Sequence, residues 1–108
     1  MVEYVLNLDS IFSSLADPTR RDILRRVAEN ELTVSQIAAP YALSFAAVSK
    51  HLMVLQRAAL IIKRRRGKEQ LVHLAPNALA SATDYLQWYR EFMENQMDSL
   101  DSYLNKDR

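Results

Sequence analysis

Between Ser44 and Lys68 the chain carries seven basic side chains and no acidic one. They are Lys50, Arg57, Lys63, Arg64, Arg65, Arg66 and Lys68. Ammonium and guanidinium groups at this density are suited to binding phosphate, because each can donate charge-assisted hydrogen bonds to phosphate oxygens. Residues 1–43 and 76–108 both hold more acids than cations, so the formal net charge of +1 conceals one strongly basic segment. This layout favours a polyanion at one surface of the protein.

The first half of the basic segment has the periodicity of an amphipathic helix. Apolar side chains recur at i, i+4, i+7 and i+11 and form one buried stripe, namely Val48, Leu52, Leu55 and Ala59. Ser44 lies where an N-cap is needed, because its hydroxyl can accept a hydrogen bond from a free backbone N–H of the first turn. The opposite side presents small and basic residues, namely Ala46, Ala47, Lys50 and Arg57. Such a face can approach a partner closely.

Residues 61–75, which begin inside the basic segment and extend past its end, have the composition of a β-hairpin. β-branched and basic residues run to Arg66, Gly67 and Lys68, after which an apolar run returns. Gly67 is the only glycine of the chain and lies where a hairpin tip needs a positive φ. A helix with one free face, followed by a hairpin with a basic tip, is typical of a DNA-reading helix and its wing.

The residues before the basic segment have helical patterns, and the helices that these patterns predict must position that segment. A first helix is predicted over residues 4–15 from apolar residues at helical spacing, which are Val5, Leu8, Ile11, Phe12 and Leu15. Asp17 as N-cap and Pro18 at the first position predict a second helix. Its arginines are predicted to form a solvated face, with the alternative that some of them reach a phosphate: Arg20, Arg21, Arg25 and Arg26.

A short third helix completes the set. Thr33 and Gln36 fit a capping box that starts a helix over residues 34–39, and Pro40 ends it. Residues 33–58 therefore read as a helix-turn-helix, in which Ala42 stands where the turn often has glycine.

The last helix is predicted over residues 77–105, with Pro76 in its first turn. One apolar stripe comprises Leu79, Leu86, Met93, Met97, Leu100 and Leu104. A second stripe beside it comprises Tyr85, Trp88, Tyr89, Phe92 and Tyr103. One stripe suffices to dock the helix on its own domain, so the second indicates a twofold partner. Trp88 and its neighbours are predicted to be core and interface residues. The alternative role is a pocket at the dimer seam, where the methionines and aromatic residues accept a small apolar effector.

The predicted homodimer interface is formed by the first helix, within residues 1–16, and the last helix, within residues 77–105, which pack against their symmetry mates. Its residues are Leu8, Ile11, Phe12, Leu86, Trp88, Tyr89, Phe92, Met93, Met97, Leu100 and Leu104.

Length and composition limit the class of protein. The 108 residues, of which 49% are apolar, predict a single domain with its own core. The absence of cysteine excludes disulfides and thiolate metal sites. No apolar run approaches the ~20 residues that a membrane span needs. The sequence therefore predicts a cytoplasmic protein with no membrane partner.

Two stretches resemble the ArsR family of winged-helix bacterial repressors. Residues 8–24, LDSIFSSLADPTRRDIL, are similar to the opening of that family. Residues 43–52, LSFAAVSKHL, together with Leu55 and residues 58–61, resemble its recognition helix and the entry to its wing. The resemblance implies a mainly α winged helix-turn-helix domain with a small β-hairpin and with N- and C-terminal dimerisation helices. It further implies a homodimeric DNA-binding transcriptional regulator, usually a repressor released by a signal.

The family's metal sites have no counterpart in these residues. The thiolate type places cysteines in a Glu-Leu-Cys-Val-Cys run, where this chain has hydroxyl residues in ELTVS, residues 31–35. Neutral hydroxyls are poor ligands for thiophilic ions. The other type uses Asp and His on the last helix, which has Asp84 but no histidine. We therefore predict no metal and no cofactor, with a carboxylate-only site in the last helix as the alternative.

The predicted contacts with double-stranded DNA lie on the recognition helix and the wing. They are Ser44, Ala46, Ala47, Ser49, Lys50, His51, Arg64, Arg65, Arg66 and Lys68. The polar residues of the helix suit base edges or phosphates and the two alanines suit thymine methyls. Strand alternation lets about two of the three wing arginines engage. Two such helices in a dimer predict an inverted-repeat operator with half-sites ~34–36 Å apart.

Other functions have less support in the sequence. Ser49 and His51 are two residues apart on a helix and face different ways, so they do not form a nucleophile–base pair and an enzyme is not predicted. One glycine cannot build a phosphate-cradling loop. His73, on the second wing strand, is predicted to be structural. The alternative function is a winged-helix protein-interaction module that uses its acidic, aromatic last helix.

Overall fold

Five helices and three strands make up the part of the chain that the structure describes. This computed structural model describes the backbone of residues 2–106 and the side chains of residues 8–106. The elements are α1 (Val2–Ser14), α2 (Pro18–Glu29), β1 (Leu32–Thr33), α3 (Val34–Ala38), α4 (Phe45–Arg57), β2 (Ile61–Arg66), β3 (Glu69–Leu74) and α5 (Ala80–Lys106). The strands form one antiparallel sheet in the order β1-β3-β2. The side chain of Val5, predicted for the apolar face of the first helix, lies outside the described residues, as do Met1, Asp107 and Arg108.

The predicted helix starts are confirmed by their caps. Asp17 accepts a hydrogen bond from the backbone N–H of Arg20 at 3.0 Å, directly before Pro18. Thr33 and Gln36 form the reciprocal capping box, with side chain to backbone distances of 3.1 and 2.8 Å. Ser44 accepts from the backbone N–H of Ala47 at 3.1 Å. Each cap satisfies backbone donors that have no partner inside their own helix.

The end of α4 differs from the prediction. Ala59, predicted for the buried stripe, is exposed and has φ +60°, whereas Ala58 is buried. The Leu60 N–H donates to the Leu55 carbonyl and the Ala59 N–H to the Gln56 carbonyl, both at 3.0 Å. These two bonds are a Schellman ending, which requires a left-handed residue and turns the chain out of the helix. Ala59 therefore redirects the chain so that Leu60 enters the core.

The start of α5 is also corrected. The helix begins at Ala80 and not at Asn77, because Asn77 has φ +59° and a left-handed residue cannot continue a right-handed helix. Pro76 begins a turn, in which the Ala78 N–H donates to the Ala75 carbonyl at 3.0 Å.

The wing is a hairpin as predicted, within a sheet that is larger than predicted. Arg66 pairs with Glu69 across a two-residue loop of Gly67 and Lys68. Gly67 has φ +61°, as a type II′ hairpin turn requires at its first central position. The prediction did not include β1, in which Leu32 and Thr33 add a third strand alongside β3. A strand of two residues has no alternation that the sequence could reveal.

The core lies between α2, α3, α4 and the sheet, and α1 closes it. The large side chains that are completely buried include Ile11, Ile23, Ile37, Val48, Leu52, Leu55, Leu60 and Val72. Within α5, whose side chains are all described, only Ala82 is buried. We call residues 8–82 the head and residues 83–106 the arm.

The arm is an exposed helix that contacts the head near its start, where Tyr85 meets Phe12. The molecule measures 69 × 32 × 20 Å along its principal axes. The 27 residues of α5 account for ~40 Å of the long axis at 1.5 Å per residue. Every residue from 83 to 106 is exposed. None of the helices described is both long enough and apolar enough to cross a membrane.

Candidate nucleic-acid interface

The recognition helix α4 presents the free face that its sequence predicts. Its inward residues Val48, Leu52 and Leu55 are almost completely buried. The residues on its outward side are exposed: Ala46, Lys50, Met53 and Arg57. Ala47 and Ser49 lie at the edges of this face and are half-buried, and Ser44 caps its start. The face has no carboxylate, so it is positive and accessible along its whole length.

Phe45 is a candidate contact residue that the sequence prediction missed. It is the first residue of α4 and its side chain is 63% exposed. It lies beside Thr33, Ser35 and the wing residues Lys68 and Gln70 in a cleft between α3, α4 and the hairpin. The signal in the sequence is a bulky apolar residue directly after an N-cap and outside the buried stripe. Such a side chain can contact a thymine methyl group.

His51 is held by its own chain more than its sequence position suggests. Its Nδ1 atom lies 3.4 Å from Arg20 Nη1 and 3.9 Å from Asp17 Oδ2, and the residue is half-buried. Arg20 also donates to the carbonyls of Ser14 at 2.6 Å and Ser13 at 3.2 Å. Arg20 therefore joins the end of α1 to α4, and the prediction that it belongs to a solvated face is wrong.

Asp17 completes this cluster as both a helix cap and a charge partner. The pKa of Asp17 is lowered, chiefly by the backbone hydrogen bond from Arg20 and further by the charge of His51. The carboxylate is thus ionised at neutral pH at the end of α2 that faces the recognition helix. The cluster leaves only part of the His51 ring available to DNA.

Arg64 differs from the other two wing arginines. Its guanidinium makes a two-pronged ion pair with Glu31, at 3.0 Å from Nε and 2.8 Å from Nη2. This hydrogen bonding lowers the pKa of Glu31 and raises the pKa of Arg64. His73 Nδ1 lies 3.1 Å from the same carboxylate, although the geometry is not that of a hydrogen bond. Arg64 therefore links β2 of the wing to Glu31, the residue directly before β1, and its charge is already neutralised by that carboxylate.

The tip of the wing carries the accessible cations. Arg65 donates to the Gly67 carbonyl at 3.2 Å, and Arg66 lies 3.6 Å from Glu69 in an exposed pair. Lys68 is exposed at the turn itself. Exposed ion pairs of this kind contribute little to stability, so these side chains can leave their present partners and bind a phosphate instead.

Two residues predicted for the dimer interface belong to the core of the head. Ile11 is completely buried and Leu8 is buried as well, so neither has surface to offer a second chain. Phe12 is partly exposed and meets Tyr85 edge to face, with ring centroids 5.8 Å apart. From Tyr85 a row of aromatic contacts continues to Tyr89, Trp88 and Phe92.

The remaining predicted interface residues are all exposed. They are Leu86, Trp88, Tyr89, Phe92, Met93, Met97, Leu100 and Leu104. An open apolar surface is lined by Leu86, Tyr89, Met93 and Met97, together with charged neighbours from the same helix. Since every wall of this surface comes from α5, a single chain does not enclose it. Among the described side chains, no group of three His, Cys, Asp or Glu residues is placed to hold a metal ion.

Comparison with known proteins gives a consistent match at the level of sequence. Residues 17–63 match the model of the arsR family of bacterial regulatory proteins. The chain is 35% identical over 95 residues to the HTH-type transcriptional regulator Rv2034 of Mycobacterium tuberculosis, covering 87% of this chain and 89% of the relative. It is 29% identical to the transcriptional repressor SdpR of Bacillus subtilis, covering 80% of this chain and 92% of that one.

Solved structures match the fold as well. A crystal structure of an ArsR family transcriptional regulator superposes with a TM-score of 0.75 at 28% identity, covering 82% of this chain and 91% of the other. The homodimeric winged helix-turn-helix DNA-binding domain of Mb0332 from Mycobacterium bovis gives a TM-score of 0.67 at 23% identity, with 83% of each chain covered. These neighbours have the mainly helical, winged helix-turn-helix architecture predicted from the sequence.

Proposed function

The chain belongs to the arsR family of bacterial regulatory proteins, as a transcriptional regulator with a winged helix-turn-helix DNA-binding fold, and from this premise we propose that it is a homodimeric repressor of an inverted-repeat operator. One observation carries the proposal. The exposed face of α4 and the tip of the wing together present cations and small side chains without a free carboxylate on the helix. That combination fits a helix lying in the major groove and a wing on the neighbouring backbone.

The contacts divide between base edges and backbone. Lys50, Ser49 and the exposed part of His51 face base edges or phosphates, while Ser44 lies near a phosphate at the start of the helix. Ala46, Ala47 and Phe45 supply apolar contacts for thymine methyl groups. Arg65, Arg66 and Lys68 contact the backbone or enter the minor groove, and Arg64 contributes least because Glu31 holds it.

A second copy of the chain covers the arm. The arm exposes eight large apolar residues predicted for the interface, including Trp88 at 59% and Met97 at 65%. A monomer in water rarely leaves so continuous an apolar surface uncovered. A twofold axis that pairs two arms also sets two recognition helices on one side of the dimer. The homodimeric state named for the Mycobacterium bovis neighbour supports the same arrangement.

The proposed regulator needs neither a metal nor a catalytic group. No enzymatic role is proposed, because Ser49 and His51 are not arranged as a nucleophile and base. A small apolar effector would bind at the seam between paired arms, where Met93 and Met97 meet the aromatic row. The alternative function is a protein-interaction module in which the arm binds another protein and α4 binds no specific DNA. The acid-free face of α4 favours DNA.

The proposal is tested by fluorescence anisotropy on two duplexes of equal length. One duplex is the region upstream of the protein's own gene and the other is its scrambled sequence, each titrated at several salt concentrations. We expect tight, salt-sensitive binding with a preference for the native duplex. Equal binding to both duplexes would contradict a sequence-specific repressor, and no binding at low salt would favour the protein-interaction module.

The wing contribution is tested with Arg65→Ala combined with Arg66→Ala. Each lost phosphate contact reduces the slope of log K against log salt by ~0.9, so the double variant should bind all duplexes more weakly and with a slope smaller by about 1 to 2. The matched control is Arg64→Ala, which removes a charge already paired with Glu31 and should change the slope least. An unchanged slope in the double variant would exclude the wing from the interface.

A further inference from the structure

We propose that Arg26 is a positioning residue for the recognition helix, acting with Tyr41 to hold the glycine-free turn between α3 and α4 against α2. The proposal rests on the DNA-binding function above and concerns the angle at which α4 leaves the turn. The Arg26 side chain donates hydrogen bonds to the end of α3 and packs against Tyr41 in the turn. Its proposed effect on DNA is therefore indirect.

Two carbonyls at the end of α3 need a donor from outside the helix. α3 has only five residues. The Gln36 carbonyl would receive the N–H of residue 40, but Pro40 has none. The Ile37 carbonyl would receive the N–H of Tyr41, which instead donates to the Ala38 carbonyl at 3.1 Å.

Arg26 supplies both missing hydrogen bonds. Its Nη1 donates to the Ile37 carbonyl and its Nη2 to the Gln36 carbonyl, each at 2.9 Å. The guanidinium is rigid and planar, so two donors from one fork fix both the position and the orientation of the end of α3. A helix of five residues is far below the length that is stable alone, and this contact ties it to the longer α2.

Tyr41 is fixed by the same surface of α2. Its ring lies over the Arg26 guanidinium, with Cζ 5.4 Å from the ring centroid, and its hydroxyl donates to Asp22 Oδ2 at 2.5 Å. The hydrogen bond from Tyr41 is the main cause that lowers the pKa of Asp22. Burial and this carboxylate raise the pKa of Tyr41. The residue directly after Pro40 is therefore held from two sides.

This clamp lies three residues before the cap of the recognition helix. From Tyr41 the chain passes through Ala42 and Leu43 to Ser44, which caps α4. A glycine would normally define such a turn through its own backbone conformation, but none is present here. Side-chain contacts with α2 define the turn instead. Base contacts tolerate displacements of only about 0.5 Å, so the clamp controls specific recognition.

Arg25 provides a matched control on the adjacent residue. Its guanidinium pairs with Asp22 and Glu29, which both belong to α2, and it has no partner in α3 among the described residues. Arg25→Lys and Arg26→Lys therefore make the same chemical change, in which charge is kept and the planar fork is lost. Only the second removes a contact with the turn. Tyr41→Phe keeps the ring over Arg26 and removes the hydroxyl bond to Asp22.

The experiment compares these three variants with the full wild-type chain. Each is titrated on a duplex that the wild-type chain enriches from a random-sequence pool and on a scrambled duplex. Amide hydrogen exchange is measured at Ala39 and Tyr41. We expect Arg26→Lys to lower the preference for the enriched duplex by about tenfold, with scrambled-duplex affinity and salt slope retained. Tyr41→Phe should lower it less, and Arg25→Lys should match the wild type. Exchange at both amides should be fastest in Arg26→Lys, less accelerated in Tyr41→Phe and unchanged in Arg25→Lys.

Three results would overturn the proposal. An unchanged preference in Arg26→Lys would show that the turn does not need the clamp. An equal loss in Arg25→Lys would show that the loss comes from replacing an arginine on α2 and does not depend on the contact with the turn. A loss on both duplexes with a smaller salt slope would make Arg26 a phosphate contact and not a positioning residue. Failure of the wild-type chain to enrich any duplex is a separate result, since it contradicts the proposed function itself.

Discussion

The head and the arm use apolar residues in opposite ways. In the head, the apolar side chains at helical spacing are buried in one core, where Ile37 and Leu55 are completely buried. In the arm, residues of the same types at the same spacing are exposed, with Met97 at 65% and Leu100 at 51%. The two regions have the same kind of pattern, and only the surroundings differ. The head is complete within one chain, whereas the arm leaves its apolar residues exposed, as the proposed dimer requires.

Because of this difference, apolar burial in the head stabilises the folded chain, whereas apolar burial along the arm would stabilise the association of two chains. Burial in the head contributes to the folding of a single chain, because each side chain removed from water is removed by neighbours in the same protomer. In the proposed dimer, burial along the arm contributes only when a second chain binds, so that contribution depends on protein concentration. Substitutions of equal chemistry in the two regions should therefore change different measurements.

The largest expected contrast compares Leu52→Ala with Leu100→Ala. Leu52 is 1% exposed in the core, so its truncation should lower the free energy of unfolding by about 2 to 5 kcal/mol. Leu100 is half exposed, and the same truncation should cost less than about 0.5 kcal/mol at a concentration where the chain is monomeric. Urea unfolding of both variants measures the contrast. Equal losses would mean that the arm packs within its own chain.

The second prediction places charge on the arm. Met97→Glu with Leu100→Glu should weaken dimerisation by about 100-fold, equivalent to ~2.7 kcal/mol, because both chains would have to desolvate their new carboxylates in the seam. Sedimentation equilibrium measures the change. The control is Asp98→Asn with Asp101→Asn, which alters neighbouring exposed charges and leaves the apolar stripe intact. Wild-type dimerisation in the glutamate variant would place the interface elsewhere.

A smaller effect is expected within the head at the end of α4. Ala59 has φ +60° with its Cβ in an unfavourable position, and Ala59→Gly should stabilise the fold by about 0.5 to 1 kcal/mol. The gain is limited because glycine also raises the entropy of the unfolded chain. Thermal unfolding of the variant, with Ala46→Gly on the exposed face as the destabilising control, measures it. A lower midpoint for Ala59→Gly would contradict the Schellman ending.

The smallest predicted effect is on how the stability of the fold depends on pH, through the ion pair between Arg64 and Glu31. The pKa of Glu31 lies below its ordinary value of 4.5 because Arg64 donates to the carboxylate. A lowered folded pKa means that this stabilisation is present above pH 4.5 and is lost as the pH falls through the folded pKa. Glu31→Gln should therefore flatten the fall in unfolding temperature below about pH 5.

The pH dependence of Glu31→Gln will not vanish completely. Asp17 and Asp22 also have lowered pKa values and remain in the variant. A fall as steep as that of the wild type would show that the pair between Glu31 and Arg64 is not formed in solution.

Local signals predict the elements of the head well. The caps at Asp17, Thr33 and Ser44 and the turn at Gly67 depend on residues within three or four positions, so the sequence is enough to locate them. The apolar stripe of α4 is also predictable, apart from its last member. Ala59 is misassigned because an alanine in a left-handed ending has no composition signal that separates it from a helical alanine.

Features that depend on distant partners escape prediction. Arg64 is 33 residues from Glu31, and no pattern in the basic run distinguishes it from Arg65. The sequence places Arg20 and Arg26 on a solvated face because helical periodicity ignores what lies beyond the helix. The start of α5 is predicted three residues too early because Asn77 is compatible with a helix until its actual φ is known. Tertiary contacts decide these cases and local propensity does not.

The most direct test of the proposed dimer is the number of protein chains bound to one DNA duplex. Light scattering during size-exclusion chromatography would be applied to the wild-type chain and to the Met97→Glu, Leu100→Glu variant, each mixed with an inverted-repeat duplex that the wild type prefers. We expect two wild-type chains per duplex and a variant that binds weakly, one chain at a time. One wild-type chain per duplex, or a variant that binds as tightly as the wild type, would contradict the claim that the arm joins two DNA-reading heads.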